Sequence, residues 1–148
     1  MAVKPIPEGY QSVTPYLAVE DAKGLIAFMK QAFDAQETFS LPGPEGKVGH
    51  AEVKIGDSMI MTGDSSLGDQ QLSMPAMIHL YVEDSDKIFQ KALEAGATKV
   101  RDLENMFYGD RSGAVQDRWG NFWWISTHVE DVPDDEMAKR AEAAMGQG

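Results

Sequence analysis

The sequence predicts an α+β fold built from two βαβββ modules, and three observations carry that prediction. First, Leu17-Ala18-Val19-Glu20-Asp21 returns 63 positions later as Leu80-Tyr81-Val82-Glu83-Asp84, with four of the five residues identical. Second, each copy runs straight into an apolar stripe of helical period. Third, each stripe is followed by short alternating stretches separated by turn residues. Helices can cover one face of each sheet. The opposite faces then curve toward each other, giving a cleft-shaped mixed sheet with helices on its outer face.

In the first module, about 10–62, Ser12 to Val19 alternates as a strand: Leu17 and Val19 share one face, Thr14 and Tyr16 the other. Asp21 is placed as an N-cap. Leu25, Ile26, Met29, Ala32 and Phe33 then make a helical stripe over about 22–34. Thr38 to Leu41 and Lys47 to Ile55 read as strands around the turn Pro42-Gly43-Pro44-Glu45-Gly46. Ala51, Val53 and Ile55 share a core face, which puts His50 and Glu52 on the other. Met59 to Thr62 is a short fourth strand. The polar, aperiodic stretch 63–75 reads as a linker.

The second module, about 76–129, repeats the order. Met77 to Val82 is a strand, Asp84 a cap, and Ile88, Phe89, Ala92 and Leu93 a helical stripe. Lys99 to Leu103, Gly113 to Asp117 and Phe122 to Thr127 are strands, with a polar and aromatic loop over Phe107 to Arg111. A last helix, about 133–145, starts near Pro133, with Asp134, Asp135 and Glu136 favourably placed in its first turn.

The composition narrows the function. The 148 residues include 13 basic and 24 acidic side chains, a net charge of -11. Such a surface repels phosphate backbones and anionic bilayers, so neither nucleic acid nor membrane is an expected partner. Cysteine is absent, which removes disulfides, thiolate metal sites and Cys nucleophiles and suits a reducing cytoplasm. Met1 to Pro7 has no apolar h-region, so no secretion signal is expected. There is no nucleophile elbow and no Gly-rich phosphate loop after a strand.

With these elements placed, the chain resembles the vicinal oxygen chelate superfamily, the glyoxalase and bleomycin-resistance group. The carriers are the paired Val19-Glu20-Asp21 and Val82-Glu83-Asp84 segments and the turn Asp117-x-x-Gly120-Asn121 into the last strand. Ile6-Pro7-Glu8-Gly9-Tyr10, Tyr108-Gly109-Asp110-Arg111 and Trp123-Trp124-Ile125-Ser126-Thr127-His128 resemble its PhnB-like branch. The resemblance implies a homodimer and a site in the sheet cleft. It does not imply one activity, because the superfamily spans lyases, isomerases, dioxygenases, transferases and drug binders.

Metal-dependent members carry ligands at positions that correspond here to Thr14, Met77, the stretch Met59-Ile60-Met61, and Trp124. A borderline divalent ion wants imidazole or carboxylate, so the usual metal centre is not expected and no cofactor is predicted. A relocated site would need His50, Glu52 and His79 to converge. Strand parity and module position instead outline a ligand-binding face of Tyr16, His50, Glu52, His79 and Trp124. Tyr108 and Arg111 join it on resemblance alone, Arg111 as a clamp for an anionic group unless Asp110 neutralises it. Two functions fit. One is a binder of small molecules. The other is a lyase, isomerase or transferase with His50 or His79 as general base, with or without a non-standard metal.

Overall fold

The computed structural model describes residues 3–65 and 75–146. The chain divides into two compact units, Met1–Ala76 and Met77–Gly148. In the first, β1 (Tyr16–Val19), α1 (Ala22–Phe33), β2 (Gln36–Pro42), β3 (Val48–Ile55) and β4 (Ser58–Asp64) follow in order. The sheet order is β1-β4-β3-β2. β1 runs parallel to β4, because a helix and a hairpin intervene, while β2, β3 and β4 are antiparallel neighbours.

Packing follows the predicted faces. Leu25, Ile26, Met29, Ala32 and Phe33 of α1 are buried, as are Leu17, Val19, Ala51, Val53 and Ile60 from the sheet. Burying each large side chain contributes about 1.5–3 kcal/mol before the entropic cost. Asp21 caps α1, accepting from Gly24 N–H at 3.1 Å. The helix ends at Asp34, whose left-handed backbone (φ 55°) stops the ladder.

In the first unit three strands differ clearly from expectation. β1 starts at Tyr16 rather than Ser12. Pro15 accepts from Met61 N–H at 3.0 Å but has no N–H to return, so regular pairing cannot extend back through it. β2 is longer than predicted, Gln36–Pro42. β4 runs through Gly63 to Asp64, which the linker reading had excluded. The polar look of Asp64 misleads: its carboxylate accepts from the N–H groups of Asp21 (2.8 Å), Ala22 (3.2 Å) and Val48 (2.7 Å). The rest of the expected linker, 66–74, lies outside the described residues.

The second unit has β5 (Met77–Tyr81), α2 (Ser85–Glu94), β6 (Thr98–Asn105), β7 (Asp110–Gln116), β8 (Phe122–His128) and α3 (Asp134–Gly146). The sheet order, β5-β8-β7-β6, repeats that of the first. Trp123, Ile125 and Val115 are buried on the α2 side, with Phe89 and Ala92 of the helix. Asp117 organises the turn into β8. It accepts from the N–H groups of Trp119 and Asn121 and from the indole Nε1–H of buried Trp123 at 2.9 Å.

β7 starts three residues earlier than expected, so Asp110 and Arg111 are strand residues. The chain turns within residues 106–110, closed by Met106 N–H to Asp110 O (2.7 Å) and Gly109 N–H to Met106 O (3.1 Å). Gly109 has φ 99°, and a Cβ there would lie 2.2 Å from Glu130 O. Only glycine lets Val129 and Glu130 donate to its carbonyl, at 2.9 and 3.0 Å. Arg140 of α3 grips the same turn, donating to Glu130 Oε1 at 2.8 Å and to Phe107 O at 3.1 Å. Among the described residues no helix is long and apolar enough to cross a membrane.

Candidate functional site

Each sheet has one face under its helix and one face free of it. In the first unit the open face carries a row of four residues in direct cross-strand register: Tyr16, Met61, Glu52 and Phe39. His50 lies two residues along β3 from Glu52. Its ring is 5.8 Å from that of Tyr16 and 6.5 Å from that of Phe39. His50 Nε2 stands 3.2 Å from Glu52 Oε2. Glu52 Oε1 accepts from the phenol of Tyr10, so one carboxylate orients both an imidazole and a phenol. Burial, then the hydrogen bond to Glu52 and its charge, push the Tyr10 phenol up to about 12. Gly63 makes room for the Tyr16 phenol: a Cβ there would lie 2.8 Å from Tyr16 OH and from Gly49 O.

The second unit has the matching row: His79, Trp124, Ala114 and Arg101. His79 stands 63 positions after Tyr16, and Trp124 63 after Met61. The His79 ring stacks on Tyr81 with centroids 4.8 Å apart. The small side chain of Ala114 lets Arg101 reach over it, putting the guanidinium 5.9 Å from the Trp124 ring centre.

A second polar cluster occupies the end of this face. Asp110 is only 3% exposed. One of its oxygens accepts from Tyr81 OH at 2.7 Å, and the other stands 2.9 Å from His128 Nδ1. His128 Nε2 is 2.7 Å from Asp131. The hydrogen bonds to Asp110 and then Asp131 raise the imidazole above its ordinary value. The Tyr81 phenol is also raised, first by its bond to Asp110 and then by burial. Tyr108 lies in the turn before β7, edge-on to Phe107. Burial and then the charge of Asp110 raise its phenol, against an opposing effect of Arg101.

The predicted residues therefore sort by unit. Tyr16, His50 and Glu52 come together on the first open face, His79 and Trp124 on the second. Tyr108 is near the second group through its electrostatic coupling to Asp110 and Arg101. Arg111 is not with them. Strand alternation turns it to the α2 side, where Nε and an Nη atom reach the Asp86 carboxylate at 2.6 and 3.0 Å. Its partner is Asp86, not Asp110. Tyr10 and Arg101 are not among the site residues that the sequence predicts. Tyr10 lies in an aperiodic lead-in, and β6 has register shifts on both sides of Arg101 that break the alternation rule.

A sequence model of the Glyoxalase/Bleomycin resistance protein/Dioxygenase superfamily matches residues 10–125. The chain belongs to this superfamily. An uncharacterized protein of Mycobacterium bovis is 38% identical over 146 residues, covering 93% of this chain and 95% of the relative. Among solved structures, TioX from Micromonospora sp. ML1 superposes with a TM-score of 0.69 at 21% identity, over 80% of this chain and 99% of that one. A PhnB protein from Bacillus cereus gives 0.65 at 20% identity, over 79% and 99%. These likenesses show the fold.

The metal positions of the superfamily do not fit a metal here. Thr14 precedes β1, Met77 offers an exposed thioether, the Met59–Met61 stretch offers thioethers, and Trp124 lies beneath a guanidinium. None is an imidazole or carboxylate donor. His50 and Glu52 are bonded to each other in the first unit, and His79 belongs to the second. Among the described residues no three His, Cys, Asp or Glu side chains gather as a metal-binding group.

Proposed function

We propose that this protein is a PhnB-like, small-molecule-binding member of the superfamily that holds its ligand on the open sheet faces without the superfamily's metal centre. The observation that supports this reading best is the second-unit row, in which half-exposed Trp124 is flanked by His79 and Arg101. Binding sites for small molecules typically pair aromatic surface with a few placed polar groups. The reading includes a cytoplasmic homodimer, with Met137, Ala141 and Met145 of α3 in its interface. The test is tryptophan fluorescence across a small-molecule screen, with metal content measured by elemental analysis and mass by light scattering. Saturable binding to metal-free protein that weakens in Trp124→Ala is the expected outcome. Binding that appears only with added zinc, nickel or manganese overturns the metal-free part.

A second reading is favoured by the Tyr10–Glu52–His50 chain. A carboxylate that fixes an imidazole beside an exposed face suits a general base. On this reading the protein is a lyase, isomerase or transferase, and His50→Gln removes activity while leaving ligand affinity nearly unchanged.

A further inference from the structure

We infer that the ligand of the second open face is an anion with a flat apolar body, such as an aromatic carboxylate, and that Arg101 is the residue that selects it. This rests on the small-molecule reading above and specifies its ligand class. Arg111, the obvious clamp from sequence, is already in a bidentate pair with Asp86 on the α2 side. Arg140 is similarly engaged by Glu130 and Glu136. Arg101 differs. Among the described residues its guanidinium has no carboxylate within ion-pair distance; it lies against the face of Trp124 and is coupled to the neutral Tyr108 phenol.

The register explains how this works. Arg101, Ala114, Trp124 and His79 are direct neighbours across four strands. Ala114 is the small member, so Arg101 lies over the sheet toward the indole with its N–H groups uncommitted. A planar guanidinium presents paired donors that match a carboxylate. The indole beside it presents apolar surface for a flat ring. His79, on the far side of Trp124, has no hydrogen-bond partner among the described residues and stacks only on Tyr81. It is free to donate a second bond to the ligand. Glu104 shares β6 and couples electrostatically to Tyr108, but it forms no ion pair with Arg101. The net charge of -11 opposes long-range attraction of an anion, so selection is by this local contact.

The test compares three probes of one shape with the full chain: 2-naphthoate, neutral 2-naphthamide and cationic 2-naphthylmethylamine, titrated by tryptophan quenching. Wild-type protein is expected to bind the carboxylate at least about tenfold more tightly than the amide, the size of one charge-assisted contact. Arg101→Met should abolish that preference while leaving amide binding in place. Arg101→Lys should keep part of it, and Arg111→Met all of it. Equal binding of the three probes in wild type overturns the anion assignment but leaves the small-molecule reading intact. A preference that survives Arg101→Met in a protein with unchanged circular dichroism overturns the role of Arg101. Failure of all three probes to bind overturns the flat-bodied ligand class, while the screen above tests the small-molecule reading by itself.

Discussion

Asp64 Oδ1 accepts hydrogen bonds from the N–H groups of Asp21 and Ala22, and Thr127 Oγ1, 63 residues later, accepts one from the N–H of Ser85. In each unit the last strand thus supplies a side chain that satisfies the first N–H groups of the helix. The two solutions differ in chemistry. Asp64 is a carboxylate that also accepts from Val48 N–H at 2.7 Å. Thr127 is a hydroxyl that accepts from Ser85 and donates to Val82 O at 2.9 Å.

That difference sets a stability order. Asp64→Ala leaves three backbone donors without their acceptor and is expected to cost about 2–4 kcal/mol. Thr127→Val removes one acceptor and one donor and should cost about 1–2 kcal/mol. Urea denaturation of the two variants checks the order. Equal midpoints would mean that the capping carboxylate is not the stronger tie.

Neighbouring tryptophans should behave oppositely. Trp123 is fully buried and donates its indole N–H to Asp117 Oδ2. Trp123→Phe is expected to cost about 2–3 kcal/mol through the lost bond and the space left behind. Trp124, one residue along, has the open face and only a guanidinium over it. Trp124→Phe should cost under about 1 kcal/mol. Acrylamide should quench emission that Trp124→Phe removes, and spare emission that Trp123→Phe removes.

This alternation is the part of the site that was legible in sequence. A period of two along β3 and β8 is enough to separate His50 and Glu52 from Ala51 and Val53, and Trp124 from Trp123. Where the period breaks, legibility stops. The register shifts on β6 hid Arg101. Arg111 joins the predicted face on resemblance alone, whereas alternation and Asp86, 25 residues away, turn it to the helix. Tyr10 and Asp64 lie in polar, aperiodic stretches. Their roles come from contacts 42 and 43 residues distant, which no local pattern encodes. The repeat carried the fold because it is itself a long-range signal.

The Tyr10 phenol offers a direct readout of the first open face. Its value of about 12 rests first on burial and only then on Glu52. Glu52→Gln should therefore lower it, without returning it to the unperturbed 10. Ultraviolet titration against a Tyr10→Phe reference follows it. The folded value lies above the unfolded one, so the stabilisation is complete below pH about 10 and is lost as pH rises toward 12. A late-titrating phenol that persists in Tyr10→Phe at full amplitude would assign the shift to Tyr81 or Tyr108 instead.

His128 provides a second pH-dependent readout. Asp110 and then Asp131 stabilise its protonated form, so its folded value stands above the ordinary 6.5. The unfolded chain keeps the ordinary value. The folded state binds the proton more tightly, and this contribution to stability is fully present below about pH 6.5. It fades as pH rises through the folded value. Net charge also grows more negative over the same range and weakens the fold by self-repulsion, so the raw slope is a mixture. The difference in stability between wild type and His128→Gln isolates the histidine. That difference should shrink as pH is raised from about 6 to about 8.5. In parallel, the His128 resonance should show its imidazole titrating above 6.5. Asp110→Asn should lower it more than Asp131→Asn does, because the bond to the buried carboxylate is the larger of the two. An unchanged titration in Asp110→Asn would mean that the Asp110–His128 contact does not hold the proton.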